Sequence, residues 1–164
     1  MPDAVATLLP RTPAQIAGIV LDQIEAHPGV FDMQNWARLP RMTRLAPDAS
    51  PSCGTTLCAA GWIAHVTGWT LVDLPGDDQA QVIGRLDSGV EYNTYAQCYA
   101  EKDGERRQIC DVARDALGLE SSETFWYDHA DTALARLRQI AGRDQADREP
   151  DMDAGTGHGA YEYR

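Results

Sequence analysis

The sequence predicts a mainly α fold: a compact bundle of about four to five short helices around one buried central helix, with room for a single small β-hairpin. Three observations carry that expectation. Ile16, Ile19, Val20 and Ile24 recur at helical spacing. Residues Leu57 to Val66 are apolar nearly all round, the mark of a helix placed centrally. Ile109, Val112, Ala113, Ala116 and Leu117 then line one side of a third segment. The 164 residues, 43% apolar and 24% charged, are enough for one core. Residues 1–142 are expected to form a single helical domain, and 143–164 a polar, acidic, flexible tail without an apolar period.

The first helix starts at Thr12. Its side chain caps the helix, Gln15 bonds back to it, and Pro13 stands where its missing N–H costs nothing. Pro28-Gly29 stops this helix near Ala26. Asp32 caps a short turn, and Phe31, Met33 and Trp36 offer anchors to a core. Residues 38–52 read as irregular loop, since Pro40, Pro47 and Pro51 lack backbone donors and disfavour helix before them. The central helix is expected from Thr56 to Thr67, capped by Thr55 or Thr56 and ended by Gly68.

Residues 70–104 give the weakest pattern. Val82–Leu86 and Val90–Tyr95 flank Asp87-Ser88-Gly89 and favour a hairpin slightly over a loop followed by a helix through Tyr95–Ala100. A third helix is expected from Glu105 to Leu117, with Gly118 in the left-handed position after it. Ser121-Ser122-Glu123 opens a short helix carrying Phe125 and Trp126. Asp128 or Asp131 opens the last helix, which Gly142 ends.

The formal charge of −11 repels phosphate backbones and anionic headgroups, arguing against non-specific nucleic-acid binding and against membrane docking. No stretch approaches the ~18 apolar residues of a membrane span, and the amino terminus lacks the basic and apolar regions of a signal peptide. A cytoplasmic location with reduced thiols is therefore expected.

Candidate chemistry centres on Cys53 and Cys58, a C-x4-C pair at a helix start, where the dipole and free N–H groups favour thiolate. His65 is seven positions beyond Cys58, which on a helix places it two turns, ~10 Å, away. No Cys–His pair forms within this segment. Cys58 reads as a packed thiol and Cys53 as the one reactive-thiol candidate. Cys98 and Cys110, with eleven residues between them, do not make zinc knuckles with the first pair. No phosphate loop, dinucleotide fingerprint, nucleophile elbow or zinc-protease motif occurs. The sequence thus names no catalytic residue, cofactor or metal ligand. Arg38, Arg41 and Arg44, in the only net basic stretch of any size, and Trp69, just after the helix-ending Gly68, are the candidates for contact with a partner. Gly61 is expected to lie against another backbone or a tryptophan ring.

Trp36, the run Cys53-Gly54-Thr55…Cys58…Ala60-Gly61-Trp62, the later Ala116-Leu117-Gly118-Leu119 and Phe125-Trp126-Tyr127 together resemble a group of uncharacterised small actinobacterial and phage proteins. That group carries no assigned activity, so the resemblance implies no catalytic or binding residue. The leading functional expectation is a non-enzymatic accessory protein acting by protein–protein binding, in a phage setting directed at a host factor. A thiol-dependent enzyme using Cys53 and a small zinc-binding structural protein are the alternatives. The oligomeric state is not specified by the sequence.

Overall fold

The computed structural model describes residues 11–40 and 42–143. The first helix forms as its capping signals require. α1 spans Pro13–Ala26, with Thr12 Oγ1 accepting from the Gln15 N–H and Gln15 Oε1 accepting from the Thr12 N–H. A 3-10 turn over Pro28–Val30 comes next. Two short strands, β1 (Ala37–Arg38) and β3 (Thr56–Leu57), pair antiparallel and flank β2 (Arg44–Leu45) in sequence.

The central helix is shorter than the sequence suggests. α2 covers Ala59–Val66, and Thr56–Leu57 is strand rather than first turn. Neither Thr55 nor Thr56 is the cap. Cys58 takes that position, its Sγ accepting from the Gly61 N–H at 3.4 Å, while Met33 Sδ accepts from the Ala59 N–H at 3.4 Å. Sulfur atoms therefore satisfy two of the donors that a helix start leaves open. Ala59 to His65 are all buried.

Beyond α2 the chain departs from the mainly α expectation, because most of residues 70–107 are strand. β4 (Thr70–Asp73), β5 (Ala80–Arg85), β6 (Glu91–Ala96), β7 (Cys98–Lys102) and β8 (Glu105–Arg107) join β2 in a six-stranded mixed sheet of order β2-β4-β7-β8-β5-β6. The chain is α/β, not all-α. The β5–β6 hairpin stands where the sequence places one, but it is one part of a sheet and not an isolated element. The stretch Tyr95–Ala100 is the end of β6 and the start of β7 joined by a bend at Gln97, not helix. Glu105–Arg107, expected as a first helical turn, pairs antiparallel with β7 and meets β5 in parallel through Ile83 and Arg107. Asp103 (φ 51°) and Gly104 (φ 82°) make the tight β7–β8 turn, a conformation that suits Asp-Gly.

α3 (Ile109–Leu117) ends on Gly118 in the left-handed region. A 3-10 turn spans Ser121–Glu123, and Phe125 and Trp126 lie after it, outside any helix. α4 (Ala130–Ala141) starts at His129, not at Asp128 or Asp131, and ends on Gly142. Of the expected tail only Arg143 is described; its guanidinium reaches Asp22 Oδ1 at 3.0 Å, and residues 144–164 lie outside the described residues.

The helices and one face of the sheet share the main core, where Leu45, Leu71 and Ala100 meet Val20, Trp62, Ile63, Val112 and Leu137. The other face carries a smaller cluster of Val72, Val82 and Tyr99, flanked by Leu74, Ala80 and Ala96, all from strands or the loops between them. Gly61 lies directly against the backbone carbonyl of Trp36, leaving no space for a Cβ. Close approach of the Trp36 backbone to α2 is what this glycine permits. Among the described residues, no helix is long and apolar enough to cross a membrane.

Candidate functional site

The β5–β6 hairpin concentrates the exposed apolar surface. Leu86 (51% exposed), Val90 (58%), Tyr92 (41%) and Tyr95 (66%) stand on it, and Tyr127 (85%) adds a fifth large exposed side chain. The local chemistry explains the hairpin. Leu86 N–H donates to Val90 O and Gly89 N–H to Leu86 O, both at 2.9 Å, with Gly89 at φ 92°. That is a three-residue loop closed by a glycine in the left-handed region. Across the strands the Tyr92 ring lies over Gly84, occupying the space a Cβ would need.

Among the described residues β6 is the last strand of the sheet, so no described strand lies on one side of its backbone. The register identifies which groups are open. Leu86 and Val90 close the loop, so the pairs Gly84–Tyr92, Val82–Thr94 and Ala80–Ala96 exchange the ladder bonds. The N–H and C=O groups of Glu91, Asn93 and Tyr95 point to the free edge. Exposed edges are commonly guarded by lysine, proline or a bulge. Residues 86–96 contain neither lysine nor proline, and their only charges are Asp87 and Glu91. Glu91 is paired with Arg107 at 2.9 Å.

Beside the hairpin lies a cleft of about 380 Å³, lined by Arg85, Leu86, Asp87 and Tyr92 on one side and by α3 and the 121–127 segment on the other. Its floor is an ion-pair cluster. Arg114, 7% exposed, donates to Arg85 O at 2.8 Å and to Ser121 Oγ at 3.1 Å, and it lies 3.3 Å from Asp111 Oδ1 and 3.4 Å from Asp87 Oδ1. Asp111 Oδ2 accepts from the Arg85 N–H at 2.9 Å, and the Ser121 hydroxyl donates to Asp87 Oδ1 at 2.8 Å. Burial raises the Asp111 carboxyl above its ordinary range, opposed by the Arg85 N–H and the Arg114 charge. These groups satisfy one another, which makes the cluster a clamp between β5, α3 and Ser121 rather than a poised acid–base pair.

The thiols have separate surroundings. Burial pushes Cys58 up to about 11 and Cys98 up to about 12, the latter aided by the Asp73 charge. Burial, then the neighbouring Asp111, pushes Cys110 up to about 11. All three are protonated at neutral pH and poor nucleophiles. Cys98 donates its S–H to Ala37 O at 3.3 Å. Cys53 is exposed, beside Gly54 at φ 88°. No three His, Cys, Asp or Glu side chains among the described residues are arranged to hold a metal ion.

The basic candidates do not converge. Arg38 is exposed on β1, Arg44 is held by Glu101 at 2.6 Å on the sheet, and Arg41 lies outside the described residues. Trp69 is half-buried, with the Lys102 ammonium 5.7 Å from its ring centre. Sequence reasoning places Tyr92 and Tyr95 in a strand without marking them as contact residues. The signal that could find them is a pair of tyrosines on the outer strand of a hairpin with no lysine or proline to guard it. Sequence reasoning also misses Asp111 and Arg114, whose cue is an i,i+3 spacing within a helix. Comparison with protein-family models, curated proteins and solved structures finds no match to this chain.

Proposed function

We propose that this protein is a non-enzymatic accessory protein that works by docking a polypeptide on the free edge of β6 and the adjoining hairpin. The observation that carries this reading is the coincidence of two features on one element. Among the described residues, four of the five large exposed apolar side chains sit on the hairpin whose outer strand also offers open backbone donors and acceptors. Strand addition uses both, since main-chain bonds supply affinity and alternate side chains supply specificity. Leu86, Val90 and Tyr92 share one face of the hairpin and Tyr95 takes the other, so exposed apolar side chains flank the open edge on both faces. The buried, protonated state of Cys58, Cys98 and Cys110 speaks against a thiol mechanism at those positions.

A photo-crosslinking amino acid at Val90, compared with one at the exposed Glu25 of α1, tests the reading in cells that express the protein. The expected result is one discrete, saturable adduct from position 90 and none from position 25. Equal labelling from both positions, or no adduct from position 90, would sink it.

A further inference from the structure

We infer that the polypeptide docked on β6 is a second copy of this chain, paired antiparallel across a twofold axis centred on Asn93. This rests on the docking role proposed for the edge and names its occupant.

Symmetry and backbone direction fix the register. A twofold axis normal to the sheet keeps the same face upward in both copies, so facing residues have the same parity. The open groups belong to Glu91, Asn93 and Tyr95, and these must pair among themselves. Centring on Asn93 gives the fullest overlap, from residue 90 to residue 96. Asn93 then faces its own counterpart and Glu91 faces Tyr95 of the partner subunit, whose phenol is a donor to the carboxylate. On the opposite face Tyr92 meets Thr94 of the partner subunit, and Val90 meets Ala96 of the partner subunit. An aromatic residue beside a β-branched one is a favourable cross-strand pair.

Charge along the edge leaves a like copy unopposed and gives a basic strand no anchor. Each chain carries −11, so two copies repel over most of their surface. On the hairpin that charge is compensated: Glu91 is held by Arg107, and Asp87 by Ser121 and Arg114. In the Asn93-centred register the two Glu91 side chains stand roughly 14 Å apart, at ~3.4 Å per residue. No like charges face each other across the dyad. A basic peptide would find no uncompensated acid along the edge, whereas a second copy needs none.

Sedimentation velocity and thermal melts on the full chain test the assignment. The parent should move from the 18.0 kDa monomer toward twice that mass as concentration rises through roughly the micromolar range expected of a small interface. Asn93→Lys and Asn93→Asp each place like charges face to face on the dyad, and each should stay monomeric, with a melt close to that of the parent at dilutions where it too is monomeric. Mixed in equal amounts they should form a heterodimer, because Lys then faces Asp. Asn93→Pro removes an outward N–H without touching the β5 ladder and should also block pairing. Dimers of either charged variant alone, or a mixture that does not pair, would overturn the register and the inference with it. A parent that stays monomeric while position 90 crosslinks to a different polypeptide overturns the second copy and leaves the docking role standing. No adduct at position 90 removes both.

Discussion

Replacing Gly61 by alanine adds one methyl group at the closest backbone approach between α2 and its neighbours. The new Cβ runs into the Trp36 carbonyl oxygen, an atom that cannot swing away like a side-chain tip. That carbonyl accepts from the Cys58 N–H at 3.4 Å, and the next residues, Ala37 and Arg38, are registered against Leu57 and Thr56. Relief therefore requires β1 to lift from β3 or α2 to shift. α2 is buried along Ala59 to His65. Overpacking of this kind costs ~1–3 kcal/mol. Weakening the Cys58–Trp36 bond adds ~0.5–1.5 kcal/mol. Alanine returns up to ~1 kcal/mol of helix propensity. The net expectation is a loss of about 1–3 kcal/mol for Gly61→Ala and more for Gly61→Leu. At ~2–4 °C per kcal/mol for a chain of this size, Tm falls by roughly 2–12 °C. Circular-dichroism melts and urea titrations measure it, with the midpoint moving at constant slope. Gly29→Ala is the control, because nothing lies within 4 Å of its Cβ position and its φ is not in the left-handed region. That change should be neutral or slightly stabilising, by ~0.4–1 kcal/mol at most. A Gly61→Ala protein that melts like the parent would refute the contact and return the Cys53–Trp62 segment to the surface.

Three further outcomes are expected at buried polar groups and thiols. Arg114→Met strands Asp111 without its cation and should cost ~3–5 kcal/mol, since both partners are buried; adding Asp111→Leu should recover part of the lost Tm. If the single variant is neutral, the cluster is not a clamp. Burial lowers the His65 pKa, partly offset by a bond at Ala49, so the unfolded chain takes up that proton first as pH falls. His65 therefore contributes stability that is complete above the ordinary value of 6.5 and declines below it, by at most ~1.4 kcal/mol per pH unit. Tm measured from about pH 7.5 to 5 should drop less in His65→Gln than in the parent, and equal slopes would contradict the assignment. With a thiol reagent in the native state, Cys53 should label first, and Cys58 and Cys98 should react only on unfolding. Rapid native labelling of Cys58 would mean that its cap on α2 opens.

The capping box at Thr12, the glycines after α3 and α4, and the Asp87-Ser88-Gly89 turn are legible in the sequence because each is a local device with a fixed spacing. The sheet is not legible, for reasons that differ by strand. β1, β2 and β3 have two residues each, too few for a period, and exist only through partners far along the chain. β4 hides its alternation because both faces are covered: Leu71 enters the main core and Val72 the smaller cluster. Such strands read as short apolar runs that a helix could equally carry. β8 merges with α3 in the pattern because Glu105-Arg106-Arg107 offers no apolar contrast, although Asp103-Gly104 before it is a readable hairpin turn. The docking edge lies one step further from the sequence. Whether β6 is an edge depends on β8 returning parallel beside β5 through Ile83 and Arg107, which fills the inner side of β5 and leaves the hairpin's outer strand last. A sequence pattern can therefore place tyrosines on β6, but only the completed strand order leaves their backbone open. That same order sets the demand on any partner: it must bring an extended strand, and a second β6 is one such strand with matching parity and compensated charge.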